Sequence, residues 1–520
     1  MSLAKERYMM IHIGIMASRS ILWAAGVIGV MGLSASTNVQ AEDLRASSNG
    51  RAVTRLGLHF TQEELDIWRK RAQSGPYKSA GDVSRNSPGD WDRIVKYKDA
   101  FMANPSADHW AGWTVDRPLT RDDTPGGSVG TSAWAHTNML CASFYSLLMN
   151  DTAVRHAVRA ELLAQAAEPG VDFANSVRWS IEYAGADQAN FWGVAMWMGR
   201  LLNTYDYVRS DLSASDRAAL DTWFHNAADF YRRAVNNSLS SIERFPNRAA
   251  GDYTPGSYGQ TYCEKGPFIL THFGGYKTSP IMRSYNNRMV QSIYLMAAVG
   301  VMLKDGSLIA DAKRYFKEHL MFGFFADGTP SEFERGIEDG APTNGWRYSG
   351  AMIGDLVMIA DVLARSGDTE LYTYSTSDGL SIGPSPTTGG PKSLSLVIGH
   401  YLKYVVPSIT RYGTDKPARS GNIQFRIDTK EELDGGSESV TDSYLVPANL
   451  WYKNALWKSI FLRQASGTPP YPAGPAYPGE YCWMGPCAKW PGFLFMFGQM
   501  EGKVDPYGLS SDESGASKPD

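Results

Sequence analysis

From Ser213 onward the apolar residues Leu220, Trp223, Phe224, Ala227, Phe230, Tyr231 and Ala234 recur at helical spacing. They fall on one stripe, which predicts a helix lying on an outer surface. The run from Met289 to Leu303 is different, being apolar on nearly every side and interrupted only by Gln291, Ser292 and glycine. A helix of that kind must be covered all round. Its successor, Ser307 to Phe322, is one-sided again: Leu308, Ala312, Tyr315, Phe316, His319 and Leu320 are expected inward, and Lys313, Arg314, Lys317 and Glu318 outward. Helical spacing also covers roughly 91–104, 131–149, 151–167, 187–207, 346–366, 393–406 and 448–464, while strand-like alternation is scarce. Two capping-box patterns mark helix starts, Thr61 with Glu64 before a helix to Gln73, and Ser213 with Asp216.

Buried and amphipathic helices therefore alternate. The expected fold class is all-α, an (α/α) toroid: an incomplete barrel of inner and outer helix pairs with long active-site loops, although a plain helical array gives the same pattern. Phe245 to Pro280 is a long passage rich in Gly, Tyr and Pro, and so long a stretch without regular structure is more often functional than idle. Ser375 to Lys392 reads as a surface loop.

The N-terminus changes the picture of what folds. Lys5, Arg7 and Arg19 precede the apolar run Ile21 to Leu33, and Val39-Gln40-Ala41 supplies the small residues of a cleavage site. Residues 1–41 are thus expected to be a secretory signal peptide, its apolar run too short to span a membrane. Residues 42–508 are expected to form a single toroid domain and 509–520 a disordered tail. The protein would then be periplasmic or secreted. Without the leader, 47 basic side chains face 53 acidic ones, a balance that disfavours a general nucleic-acid binder. Cys482 and Cys487 flank Trp-Met-Gly-Pro in an exported chain, and a disulfide between them is the first expectation. No His-containing partner motif stands at metal spacing, so neither a metal nor another cofactor is implied.

Candidate chemistry concentrates between Tyr285 and Asp368. Tyr285-Asn286-Asn287-Arg288 opens the buried helix, Asp327-Gly328-Thr329-Pro330-Ser331-Glu332-Phe333-Glu334-Arg335-Gly336 follows the next one, and Trp346-Arg347-Tyr348 comes after. Here the chain resembles the alginate-lyase group of (α/α)-toroid polysaccharide lyases, which includes glucuronan lyases. That group shows an Asn-Asn-His motif opening an inner helix, a D-G-x-x-x-E-x-x-R-like turn, and a Tyr opening the next inner helix. The resemblance implies that Asn287 binds the substrate carboxylate, that Arg335 binds and neutralises it, and that Tyr348 donates the proton and can also remove one. The chemistry requires such groups. The C5 proton of a uronic acid is too weakly acidic while the adjoining carboxylate is a bare anion, and amide and guanidinium donors stabilise the enolate-like charge that builds there.

Arg288 departs from the pattern, standing where the family has His, and arginine is no base near neutral pH. Either Arg288 joins Arg335 as a second clamp and Tyr348 handles both proton steps, or another histidine substitutes, His136 first and His272 second. The spacing from Arg335 to Tyr348 is also longer than in alginate lyases proper, which bears on the substrate more than on the reaction class. Trp134, Trp192, Tyr258 and Tyr262 are candidates for stacking on sugar rings. Each residue also has a plainer reading: Asn286 and Asn287 as helix caps, Arg335 paired with Glu332 or Glu334, Tyr348 as a core aromatic, the histidines as satisfied structural groups. Gly379-Leu380-Ser381-Ile382-Gly383 matches G-x-S-x-G but runs into Pro384, which does not suit a strand-to-helix elbow.

Three functions follow. The first is a lyase on a β-1,4-linked polyuronate, mannuronate-rich alginate or glucuronan. The second is an inverting glycoside hydrolase using Glu332, Glu334 or Asp339. The third is a catalytically silent periplasmic polysaccharide binder. All three imply an anionic polysaccharide as the partner.

Overall fold

The computed structural model describes residues 53–74, 91–107, 109–111, 137–174, 188–240, 285–325, 328–332, 342–376, 391–401, 445–454, 490–491, 495–496 and 504–508, all within one compact unit, Ala46–Asp520. Its helices are α1 (Gln62–Ser74), α2 (Trp91–Ala103), α3 (Thr137–Met149), α4 (Thr152–Ala166), α5 (Gln188–Val208), α6 (Ala214–Ser240), α7 (Met289–Leu303), α8 (Gly306–Phe322), α9 (Pro342–Arg365), α10 (Glu370–Thr373) and α11 (Leu445–Tyr452), with a further helical stretch at 394–401. Among the described residues the only extended pairing is three isolated bridges.

Burial follows the hydrophobic pattern. In α7 every side chain from Val290 to Val301 is buried, and α9 is buried from Ser349 to Arg365. Between them α8 buries one face, as α4 and α6 do. The inner helices α3, α5, α7, α9 and α11 pack one against the next, and the outer helices α4, α6, α8 and α10 do the same around them. Inner and outer members alternate along the chain, which is the architecture of an (α/α) toroid.

Local rules set the helix ends. Thr61 and Glu64 form the reciprocal capping box, Thr61 N–H donating to Glu64 Oε2 at 2.8 Å and Glu64 N–H to Thr61 Oγ1 at 3.3 Å. The second box closes by half. Asp216 N–H donates to Ser213 Oγ at 3.1 Å, but the Asp216 carboxylate turns to the Arg159 guanidinium at 2.7 and 3.0 Å.

Three expectations need correction. Glu318 is fully buried rather than outward, because the Tyr285 hydroxyl, in the turn that precedes α7, donates to its Oε2 at 2.7 Å. The helix expected from 448 to 464 runs instead from Leu445 to Tyr452. Pro447 fits its first turn, where no N–H is needed, and Lys453 ends it in the left-handed region at φ 50°. Helix α9 starts at Pro342 rather than near 346, so Tyr348 sits in its second turn and does not open it.

Both chain ends insert polar groups between the inner helices. His59 Nδ1 meets Asp361 Oδ2 at 2.9 Å and its Nε2 meets the Tyr294 hydroxyl at 3.0 Å, while the Tyr507 hydroxyl donates to Asp361 Oδ1 at 2.9 Å. Arg365 completes the network, with Nε on Asp361 at 2.8 Å and both terminal nitrogens on Glu64 at 2.7 and 2.9 Å. Burial pushes the Asp361 carboxyl up, but Arg365 and the bonds from His59 and Tyr507 outweigh it and leave it below its ordinary value.

Candidate active site

Asn286, Asn287 and Arg288 form the turn into α7. The Asn286 side-chain oxygen accepts from the N–H groups of Arg288 at 2.9 Å and Met289 at 3.1 Å, so Asn286 does the capping. Asn287 is held differently. Its backbone N–H donates to Glu332 Oε1 at 2.9 Å, and both residues are buried.

Glu332 closes a turn that begins at the end of α8. Phe324 and Pro330 bridge antiparallel, Phe325 N–H donates to the Thr329 carbonyl at 2.8 Å, and Ser331 N–H donates to the Gly323 carbonyl at 2.9 Å. Gly328 takes φ +87°, which glycine adopts at no steric cost. A Cβ there would also lie 2.9 Å from the Cβ of His400 and 3.2 Å from the Leu396 carbonyl oxygen. The turn is therefore pressed against the helical stretch 394–401, where the Thr329 hydroxyl and His400 Nε2 are 2.9 Å apart.

Tyr348 reaches the same region by way of the helix faces. Gln291 of α7 contacts Asp355 of α9. Three residues further along α7, Tyr294 is linked through His59 to Asp361, six residues beyond Asp355. Contacts that advance together toward both C-termini make α7 and α9 parallel neighbours. Asn287 lies one turn before Gln291 and Tyr348 two turns before Asp355, roughly 6 and 10 Å up the axes on the same faces. The two positions share the N-terminal rim of adjacent inner helices, where Tyr348 is half-buried although Ser349 onward is covered.

Arg288 is half-buried on this rim. Arg335 lies outside the described residues, three positions along the chain from Glu332, and so do His136, Trp134, Tyr258, Tyr262, His272, Cys482, Cys487, Glu334, Asp339 and the Gly379 to Gly383 motif. Trp192 lies on α5, its side chain outside the description. Sequence reasoning did not single out His400 or Lys392, and it offered Glu332 as an ion-pair partner of Arg335 or a hydrolytic carboxylate rather than as the support of Asn287. Only Asp-Gly-Thr hinted at a turn, and nothing local signals that a segment some seventy residues away packs on it.

Residues 271–384 match the model of the family described as Alginate lyase. The matched range contains the Asn-Asn-Arg motif, the turn that follows α8, Arg335 and Tyr348. This segment is alginate-lyase-like, and the match supports a polysaccharide lyase. Among solved structures, a tyrosine-to-phenylalanine variant of alginate lyase A1-III complexed with a tetrasaccharide is 13% identical, with 67% of this chain and 76% of that chain covered at a TM-score of 0.38. The apo form of a histidine-to-alanine variant of the same enzyme is also 13% identical, covering 72% and 84% at a TM-score of 0.39. No match is found among curated protein sequences.

Proposed function

We propose that this chain is an exported lyase that cleaves a β-1,4-linked polyuronate, mannuronate-rich alginate or glucuronan, by β-elimination, leaving unsaturated uronate ends. The bond between Asn287 N–H and Glu332 Oε1 carries the reading, because it joins the Asn-Asn-Arg turn to the turn leading toward Arg335, at the rim where Tyr348 also stands.

In this reading Asn287, Arg288 and Arg335 neutralise the substrate carboxylate, each donor contributing ~3–4 kcal/mol where the charge builds. With that charge held, the C5 proton becomes removable. The C5–H electron pair forms the C4–C5 double bond, the C4–O4 bond breaks, and O4 leaves with a proton. In mannuronate and in glucuronate, which differ only at C2, the C5 proton and O4 lie on one face of the ring, so the Tyr348 oxygen can accept the C5 proton and pass a proton to O4. Arg288 in place of the family histidine favours this single-tyrosine route, which suits mannuronate and glucuronate alike. In guluronate, the C5 epimer of mannuronate, the two groups lie on opposite faces and a separate base is needed. Glu332 does not suit the role of a hydrolytic carboxylate, being fully buried with Oε1 engaged by an amide.

The test is to mix the protein with polymannuronate, polyguluronate and glucuronan and follow ultraviolet absorbance of the new double bond, with reducing ends measured in parallel. Absorbance should rise faster on polymannuronate or glucuronan than on polyguluronate. Reducing ends without absorbance would make the protein a hydrolase, and neither signal on any polyuronate would end the lyase reading.

A further inference from the structure

The turn that supports Asn287 is gripped at two corners by a segment beyond the family-matched range. The Lys392 ammonium is fully buried and donates to the Phe324 carbonyl at 3.1 Å and also to the Met321 carbonyl, fixing where the chain leaves α8. Eight residues on, the His400 ring meets the Thr329 hydroxyl at 2.9 Å, and its Cβ lies against Gly328 where no side chain fits. Lys392 is itself anchored, its N–H donating to Thr376 Oγ1 at 2.8 Å and its carbonyl accepting from Thr376 N–H at 2.9 Å. From Thr329 the backbone reaches Glu332 in three residues and is pinned on the way. Ser331 is tied to Gly323, and Glu332 to the Asn287 amide.

We propose that His400 is a positioning residue of the candidate active site: through Thr329 it sets the turn that carries Glu332, and Glu332 in turn sets Asn287. This rests on the lyase reading for its catalytic consequence but not for the mechanical link. The burial gradient agrees with a device rather than plain packing, since Lys392 is sealed while His400 is half-buried. A mere filler of that site would not need a polar ring atom at hydrogen-bond distance from the Thr329 hydroxyl. Displacing a binding group by ~1 Å can cost ~100-fold in rate, so a remote hinge of this kind is felt at the chemistry.

The experiment compares His400→Gln, whose side-chain amide can replace the ring Nε2, with His400→Ala and Thr329→Val. Hydrogen exchange of the peptide covering Tyr285 to Val290 reports the Asn287 amide directly, and initial rates on the best polyuronate report catalysis. Thermal melts confirm that each variant is folded. His400→Ala and Thr329→Val are expected to raise exchange in that peptide at least tenfold and to lower kcat about 10- to 100-fold with KM changed less than threefold, while His400→Gln stays within threefold of the parent in both. Unchanged exchange in His400→Ala, or a His400→Gln variant as impaired as His400→Ala, overturns the proposal. A parent protein inactive on every polyuronate, with the exchange pattern as expected, upholds the link and overturns only the lyase reading.

Discussion

The Asn287 amide and the Glu332 carboxylate, 45 positions apart in the chain, meet at 2.9 Å. Two motifs on either side of the α7–α8 pair thereby become one support. Replacing Glu332 with alanine leaves a buried N–H without its acceptor, which costs ~1–3 kcal/mol, whereas glutamine keeps an acceptor oxygen. Glu332→Ala should lower kcat by about tenfold or more and depress the Tm. Glu332→Gln should retain most of both, as paired melts and rate assays will show.

Tyr348 stands half-buried at the rim while α9 is covered from Ser349 to Arg365. Tyr348→Phe removes one oxygen and leaves the packing intact. In the lyase reading it should cut the absorbance-monitored rate by ~10²–10⁴-fold with stability within about 0.5 kcal/mol of the parent. A Tyr348→Phe enzyme of full activity would remove tyrosine from the mechanism. Arg288→Ala, which deletes one of two guanidinium clamps, should cost ~10²–10³-fold in kcat.

His319 packs edge-on against Tyr285, wholly buried, and neither ring nitrogen has a hydrogen-bond partner. Burial pulls its pKa down from 6.5 to about 3. The folded state therefore keeps the ring neutral while the unfolded chain protonates below 6.5, so this contribution is fully present above pH 6.5 and is lost as pH falls toward 3, by roughly 5 kcal/mol over the whole window. His319→Phe should be as stable as the parent at neutral pH or more so, and should flatten the loss of Tm between pH 6.5 and 4. Asp206 works with the opposite sign. Burial raises its pKa from 3.8 to about 6, so its contribution is full below 3.8 and declines as pH rises through 6. Asp206→Asn should remove that decline, and melting curves on a pH series measure both effects.

Arg365 bridges two buried carboxylates, Glu64 and Asp361. Removing it takes away the guanidinium charge they share. Arg365→Met should destabilise the fold by ~3–5 kcal/mol in denaturant titrations, and adding Glu64→Gln should recover part of that loss.

The all-α class, the sidedness of α6 and α8 and the all-round burial of α7 were legible because each depends on side chains within a few turns of one another. The capping boxes were legible for the same reason. The outward expectation for Glu318 failed because the tyrosine that donates to it inside lies 33 residues earlier. The early start of α9 turned on Pro342, whose fixed φ suits a first helical turn, and α11 ends early where Lys453 takes φ 50°, a conformation lysine does not favour by itself.

By itself, the sequence determined which residue types are present at the candidate site and that helix pairs present them, since charge, hydrogen-bonding capacity and periodicity are local properties. Only the tertiary structure decided that Asn286 caps so that Asn287 can be held by Glu332, that Tyr348 shares a rim with Asn287, and that His400 rests on Thr329. Those are contacts between distant segments, and no short-range rule specifies them. They arise when parallel inner helices register against each other and bring separate turns to one edge.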